Sequence, residues 1–215
     1  MPNRLLMVVA ILLVGCGSGE PVDGLQSSEA AAAIRMLNAH GHQVDVSDAG
    51  LTGAKGHVCL LTGQAGGIRS EDAKLLSQVP DLVEIRVIPV GGPPVEFWNE
   101  LSQIDSLRDF AAHYGLTEEG IRSLSKFPNL RTLTIWGRST SLEQLPALPH
   151  LRLLHIEETQ VKLKDIRQVK ESCPALKEFL CDNDLEPEAL ELLRTIPTLK
   201  NISAGGFHIG KITGQ

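Results

Sequence analysis

A leucine followed three residues later by Ile, Phe or Leu, and two further on by a small or aliphatic residue, recurs six times along this chain. The leading leucines are Leu82, Leu107, Leu130, Leu151, Leu176 and Leu199, separated by 25, 23, 21, 25 and 23 residues. A period of that length holds one strand and one short return segment. Such a unit cannot bury its apolar side alone and must stack on the next, so the repeat predicts an array with a continuous core.

Within a unit, strand alternation sets an inward triplet. Leu82, Ile85 and Val87 face one way while Glu84 and Arg86 face the other. The other triplets are Leu107/Phe110/Ala112, Leu130/Leu133/Ile135, Leu151/Leu154/Ile156, Leu176/Phe179/Cys181 and Leu199/Ile202/Ala204. Counting upstream in threes gives helical stripes: Val79, Leu76, Ala73; Ile104, Leu101, Trp98; Phe127, Leu124, Ile121; and Ile196, Leu193, Leu190. Ser70 and Thr117 read as N-caps before acidic first turns, and Pro187 as a first helical residue. Pro80, Pro128, Pro149, Pro174 and Pro197 fall where each unit must turn into its strand. Between Leu130 and Leu151 the spacing shortens to 21 and Pro146 interrupts Leu142, Leu145 and Leu148, which predicts an extended or 3-10 segment there.

These motifs resemble the leucine-rich repeat family, in its bacterial form with a strand and a short helix per turn, from about residue 57 to 204. The resemblance implies an α/β fold: a short right-handed horseshoe solenoid with a parallel sheet on its concave face, helices on its convex face and an N-terminal helix and strand cap. The family's asparagine after the strand is replaced by Arg138, Thr159 and Asp184 in three units. Thr159 and Asp184 keep a side chain able to bond the loop backbone; Arg138 does not. A coiled coil or helical repeat is the competing class, and the period-two strand segments count against it.

Ser28-Glu29 opens an alanine-rich stretch ending near Asn38, with Ile34 and Leu37 on one face, and Gly41 breaks it. Strands around Val44 to Val46 and Val58 to Leu61 follow. Residues 28–56 are therefore expected to cap the array, and residues 57–215 to form the repeat domain with a short C-terminal cap. There Phe207 and Ile209 either fold over the last strand or leave an unpaired edge open to self-association.

The N-terminus has a separate logic. Behind Asn3-Arg4, residues 5–14 form an apolar run too short to span a bilayer, which reads as a signal-peptide core. Leu13-Val14-Gly15-Cys16 resembles the lipobox of bacterial lipoproteins. That resemblance implies removal of residues 1–15, lipidation of Cys16 and, because Gly17 rather than Asp follows, the outer membrane facing the periplasm. The alternative is a plain secretory signal with a chance cysteine. Residues 16–27 read as a flexible tether. Losing residues 1–15 removes Arg4 and takes the formal charge from -6 to -7. An acidic chain with 4% aromatic residues is poorly matched to nucleic acid, which is held by basic footprints and stacking platforms. Once Cys16 is acylated, Cys59, Cys173 and Cys181 are an odd set; Cys173 and Cys181 read as buried thiols.

The resemblance assigns binding to the outward strand residues. After the leading leucines run Val83, Arg108, Arg131, Arg152, Lys177 and Lys200, a basic column that is either a solvated ladder sharing charge with nearby acids or a groove for an anionic partner. A second column holds Ile88, His113, Trp136, Glu157 and Asp182, with Arg86, Thr134, His155 and Leu180 alongside. Trp136 beside Arg131 and His155 has the composition of an interface anchor, or else it covers the proline-interrupted unit from its loop. Trp98 lies on a helical stripe and reads as core. The expected contact set is Arg86, Arg108, His113, Arg131, Thr134, Trp136, Arg152, His155 and Lys177.

His40-Gly41-His42 has no nearby cysteine or carboxylate triad and reads as loop histidines, so no metal is expected. Asp182, Asp184, Glu186 and Glu188 lack the glycine and spacing of a calcium loop. GxSxG, HExxH and Walker A patterns do not occur, and neither catalytic residues nor a cofactor is expected. The favoured reading is a non-catalytic, membrane-anchored module that binds a protein or glycan and no nucleic acid. The alternative is a structural, self-associating envelope lipoprotein. A hydrolytic enzyme built on His113 or His155 with Asp109 or Glu157 stands third, lacking a serine or cysteine nucleophile.

Overall fold

The computed structural model describes residues 28–47, 56–62, 68–88, 93–137, 141–205 and 207–211. Among the described residues the chain is α/β, with nine strands in one sheet whose spatial order follows the sequence. A helix α1 (Ser28–Ala39) leads into β1 (Gln43–Ser47) and β2 (Gly56–Thr62). Then helices and strands alternate: α2 (Ser70–Leu76), β3 (Leu82–Ile88), α3 (Val95–Leu101), β4 (Asp109–His113), α4 (Glu118–Ser123) with a 3-10 turn (Leu124–Lys126), and β5 (Thr132–Trp136). After β6 (Leu153–Glu157) come α5 (Leu163–Ser172), β7 (Glu178–Cys181), α6 (Pro187–Arg194), β8 (Asn201–Ala204) and β9 (Phe207–Lys211). Strands β2 to β8 are parallel; β1 and β9 add antiparallel strands at the two ends. The edge expected after Ala204 is therefore occupied by β9.

All six inward triplets are buried, and they line up across the sheet. Ile85, Phe110, Leu133, Leu154, Phe179 and Ile202 pair in succession, and Cys59 of β2 extends that row upstream. The helical stripes pack against them in one continuous core, with Leu190 only partly buried. The register is held because a one-residue slip would turn every triplet away from the helices. Three side chains immediately before leading leucines add staples to the preceding unit. Ser106 Oγ donates to Leu82 O at 2.8 Å, Asn129 Nδ2 to Asp105 O at 3.0 Å, and Thr198 Oγ1 to Leu176 O at 2.8 Å.

The unit around Pro146 has no helix in residues 141–152, yet Leu142, Leu145 and Leu148 stay buried. Buried backbone without helical bonds needs other partners, and α5 supplies them. Asp165 Oδ1 accepts from Leu142 N at 2.9 Å, Ser172 O accepts from Leu148 N at 2.7 Å, and Leu145 O accepts from Gln168 Nε2 at 2.7 Å.

Local signals held in part. Thr117 caps α4, its Oγ1 accepting from Gly120 N at 3.1 Å. Ser70 does not cap α2: Arg69 takes that position, and the Asp72 carboxylate, three residues downstream, reaches back to accept its N–H at 2.8 Å, the reciprocal bond of a capping box. In the loop ladder Thr159 Oγ1 donates to Gly137 O, but the next member is Asn183, whose Nδ2 donates to Thr159 O at 2.9 Å, rather than Asp184. Arg138 and Cys16 lie outside the described residues. No helix among the described residues is long and apolar enough to cross a membrane.

Candidate functional site

The basic column is welded backbone to backbone at the entry ends of the strands. Arg108 N donates to Val83 O (3.0 Å), Arg131 N to Arg108 O (2.7 Å), Arg152 N to Arg131 O (2.8 Å), Lys177 N to Arg152 O (2.8 Å) and Lys200 N to Lys177 O (2.7 Å). Five cations thus stand one residue before five consecutive strands, spaced by the sheet itself at ~4.8 Å. None of the five makes an ion pair with a described carboxylate. Desolvation, and then the guanidinium groups of Arg108 and Arg152, push Arg131 below the usual arginine range, while Asp109 pulls the other way. Arg131 therefore sits between two like charges, Arg108 and Arg152, that a bound anion would offset.

At the exit ends of the strands lies a row of rings. His113, Trp136 and Glu157 pair in register, and His155 sits two residues before Glu157. The His113 ring stacks on Trp136 with centroids 4.0 Å apart; Trp136 meets His155 edge-on at 6.0 Å. His155 Nε2 lies 2.9 Å from Glu157 Oε1. Trp136 is partly exposed, so one edge of this row reaches solvent. Burial, and then the Arg86 charge, push His113 down to about 4, and its Nε2 is buried without a hydrogen-bond partner.

Three parts of the expected site change. Arg131 and Trp136 are five residues apart on one strand, about 16 Å at ~3.3 Å per residue, so they mark opposite ends of the outer face and do not form one anchor. Thr134 is only 2% exposed and presents no hydroxyl to a rigid partner; the face between the two ends is recessed there, with Asp109, Ala111 and Thr132 also buried. Arg86 is half-buried and engaged with the buried Glu84 at 2.5 Å. That leaves Arg108, Arg131, Arg152 and Lys177 at one end and His113, Trp136 and His155 at the other.

The neutral state of His113 carries a pH prediction. Its folded value lies below the ordinary histidine value, so the unfolded chain takes up the proton first as pH falls. The stability this ring contributes is whole above about pH 6.5 and is lost on acidification toward about pH 4. Wild type should lose of order 1 to 2 kcal/mol more than His113→Asn across that window, after allowance for the ring's partial exposure, in urea melts run at several pH values.

Cys59, Cys173 and Cys181 are buried and free. Burial pushes the Cys173 and Cys181 thiols up to about 12 and raises Cys59 as well, so none is a ready nucleophile. The His40–His42 pair does have a carboxylate beside it, contrary to the sequence reading: Asp72 lies 2.7 Å from His40 Nδ1 and 3.0 Å from His42 Nε2. No spacing rule joins residues that far apart in the chain; the acidic first turn of α2 was the nearest signal. Burial pushes the Asp72 carboxyl up, but the Arg69 N–H and the two imidazoles outweigh it and hold it below the usual carboxylate range.

No protein-family model matches the chain, and neither does any curated protein.

Proposed function

We propose that this chain is a non-catalytic leucine-rich repeat module, a short right-handed solenoid that holds an extended, anionic protein or glycan on the concave face of its sheet. The observation that carries the reading is the basic column: five cations at the entry of adjacent strands with no described carboxylate paired to them. Asp109 offsets part of the charge at Arg131, while Arg108 and Arg152 on either side oppose it. The distance between that column and the Trp136 row favours a partner long enough to span a strand, since a small anion would touch one end only. The protonated thiols and the engaged His155 support a binding role over hydrolysis. The double variant Arg131→Ala/Trp136→Ala should lose at least tenfold in crosslinked capture from native envelope while its circular dichroism melt stays unchanged. Equal capture by both proteins would remove the concave face from consideration.

The location proposed is the bacterial envelope, through an acylated Cys16 on the outer membrane facing the periplasm, supported by the Leu13 to Cys16 motif. Cys16→Ala should release the protein from membranes and end fatty-acid labelling; persistent labelling would refute the anchor. A self-associating envelope protein is the second reading, and it would have to pair through the outer edge of β1 or β9, the two terminal strands.

A further inference from the structure

We propose that His40, His42 and Asp72 form a site for a divalent transition metal, fastening the turn after α1 to the first turn of α2. The local sequence explains how two imidazoles reach one carboxylate. Gly41 adopts φ +87°, its N–H donating to Asn38 O at 3.0 Å and the His42 N–H to Leu37 O at 2.9 Å, which closes α1 through a left-handed residue. That turn sets His40 and His42 against Asp72 with their rings at 85° and centroids 6.3 Å apart. One nitrogen from each ring and a carboxylate oxygen lie within 4.8 Å of one another. Tetrahedral zinc, at ~2.0 to 2.2 Å from N and O ligands, needs those atoms about 3.3 Å apart, so small ring shifts that open the 2.7 and 3.0 Å contacts and close the widest separation complete the triad.

His42 separates this cluster from a simple hydrogen-bonded clamp. Its side chain is fully buried, with Nε2 3.0 Å from Asp72 Oδ2 and Nδ1 without a hydrogen-bond partner. A buried ring nitrogen is rarely left without a partner in folded proteins, and the close approach of Nε2 to the carboxylate is where a cation would sit between them. Two imidazoles and one carboxylate suit zinc and its neighbours in the divalent series; calcium and magnesium prefer all-oxygen sets. The His40 side chain is 21% exposed, which leaves a solvent side for water as a fourth ligand. Binding requires both rings neutral. His40 would present Nδ1 and carry its proton on Nε2, and His42 would present Nε2 and carry its proton on Nδ1.

The test uses the full, untagged chain stripped by chelator. Zinc titration by calorimetry should give one ion per chain with Kd on the order of micromolar or tighter, cobalt should give visible ligand-field bands, and zinc should raise the melting temperature. His40→Gln keeps a polar group able to bond Asp72 but supplies no imidazole. It should weaken zinc at least tenfold and erase the cobalt bands, while the metal-free melting temperature stays near wild type. Wild-type protein that takes up no zinc at about 100 μM, or a His40→Gln variant with unchanged affinity and stoichiometry, overturns the proposal.

Discussion

Trp98→Ala should cost about 3 to 5 kcal/mol and lower the melting temperature by roughly 10 to 15 °C, the cost of emptying the largest buried side chain in the chain's core. Trp98 projects from α3 and is 1% exposed. Its ring meets Phe97 edge-on at 5.6 Å, Phe110 of β4 at 5.5 Å and Phe127 at 6.2 Å. It also lies against Gly120 of α4, where an added Cβ would sit 3.3 Å from Trp98 Cζ2. One side chain thus joins α3, β4 and α4, so its removal empties a contact shared by three elements. Urea melts should show a lower midpoint with an unchanged slope, while Trp98→Phe recovers more than half of the loss. A loss below about 1 kcal/mol would mean that the units do not share a core there.

Gly137→Ala should be the second severe change, about 3 kcal/mol or more, through backbone rather than core. Gly137 has φ +145°, in a region that side chains rarely adopt. The turn after β5 also runs against the turn after β4. Gly115 N donates to Trp136 O at 2.5 Å, and a Cβ on Gly137 would collide with Gly115 N and sit 2.5 Å from Tyr114 C. Neither obstacle is a flexible side chain that could swing away. Because Gly137 follows Trp136 directly, the variant should also disturb the His113–Trp136 stack, seen as a change in near-ultraviolet circular dichroism. A fully stable variant with an unaltered spectrum would show that the two turns are not in contact.

What could be read from sequence followed from what periodicity encodes. Leu133, Leu154 and Phe179 were legible as core because alternation and a fixed period place them on one row, and Trp98 because it falls in a helical stripe. The outer face was less legible. Whether Thr134 reaches solvent depends on its neighbours across strands, and that Arg131 and Trp136 stand at opposite ends depends on strand length. The Asn183 link and the staples from Ser106, Asn129 and Thr198 join each unit to the one before it, and no local pattern announces a partner 22 to 24 residues away. The meeting of His40 and His42 with Asp72 is the extreme case. It arises only once α1 packs beside α2.

The binding face can be tested without knowing the natural partner. Fluorescence anisotropy of a labelled polyglutamate peptide and a labelled polyuronate would be followed at low and high salt against wild type and Arg131→Ala/Trp136→Ala. The basic column predicts that wild type binds at least one probe, that affinity falls as salt rises, and that the double variant binds at least tenfold more weakly. Binding by neither probe, or equal binding by both proteins, would contradict the assignment of the outer face of the sheet as an anion-holding surface.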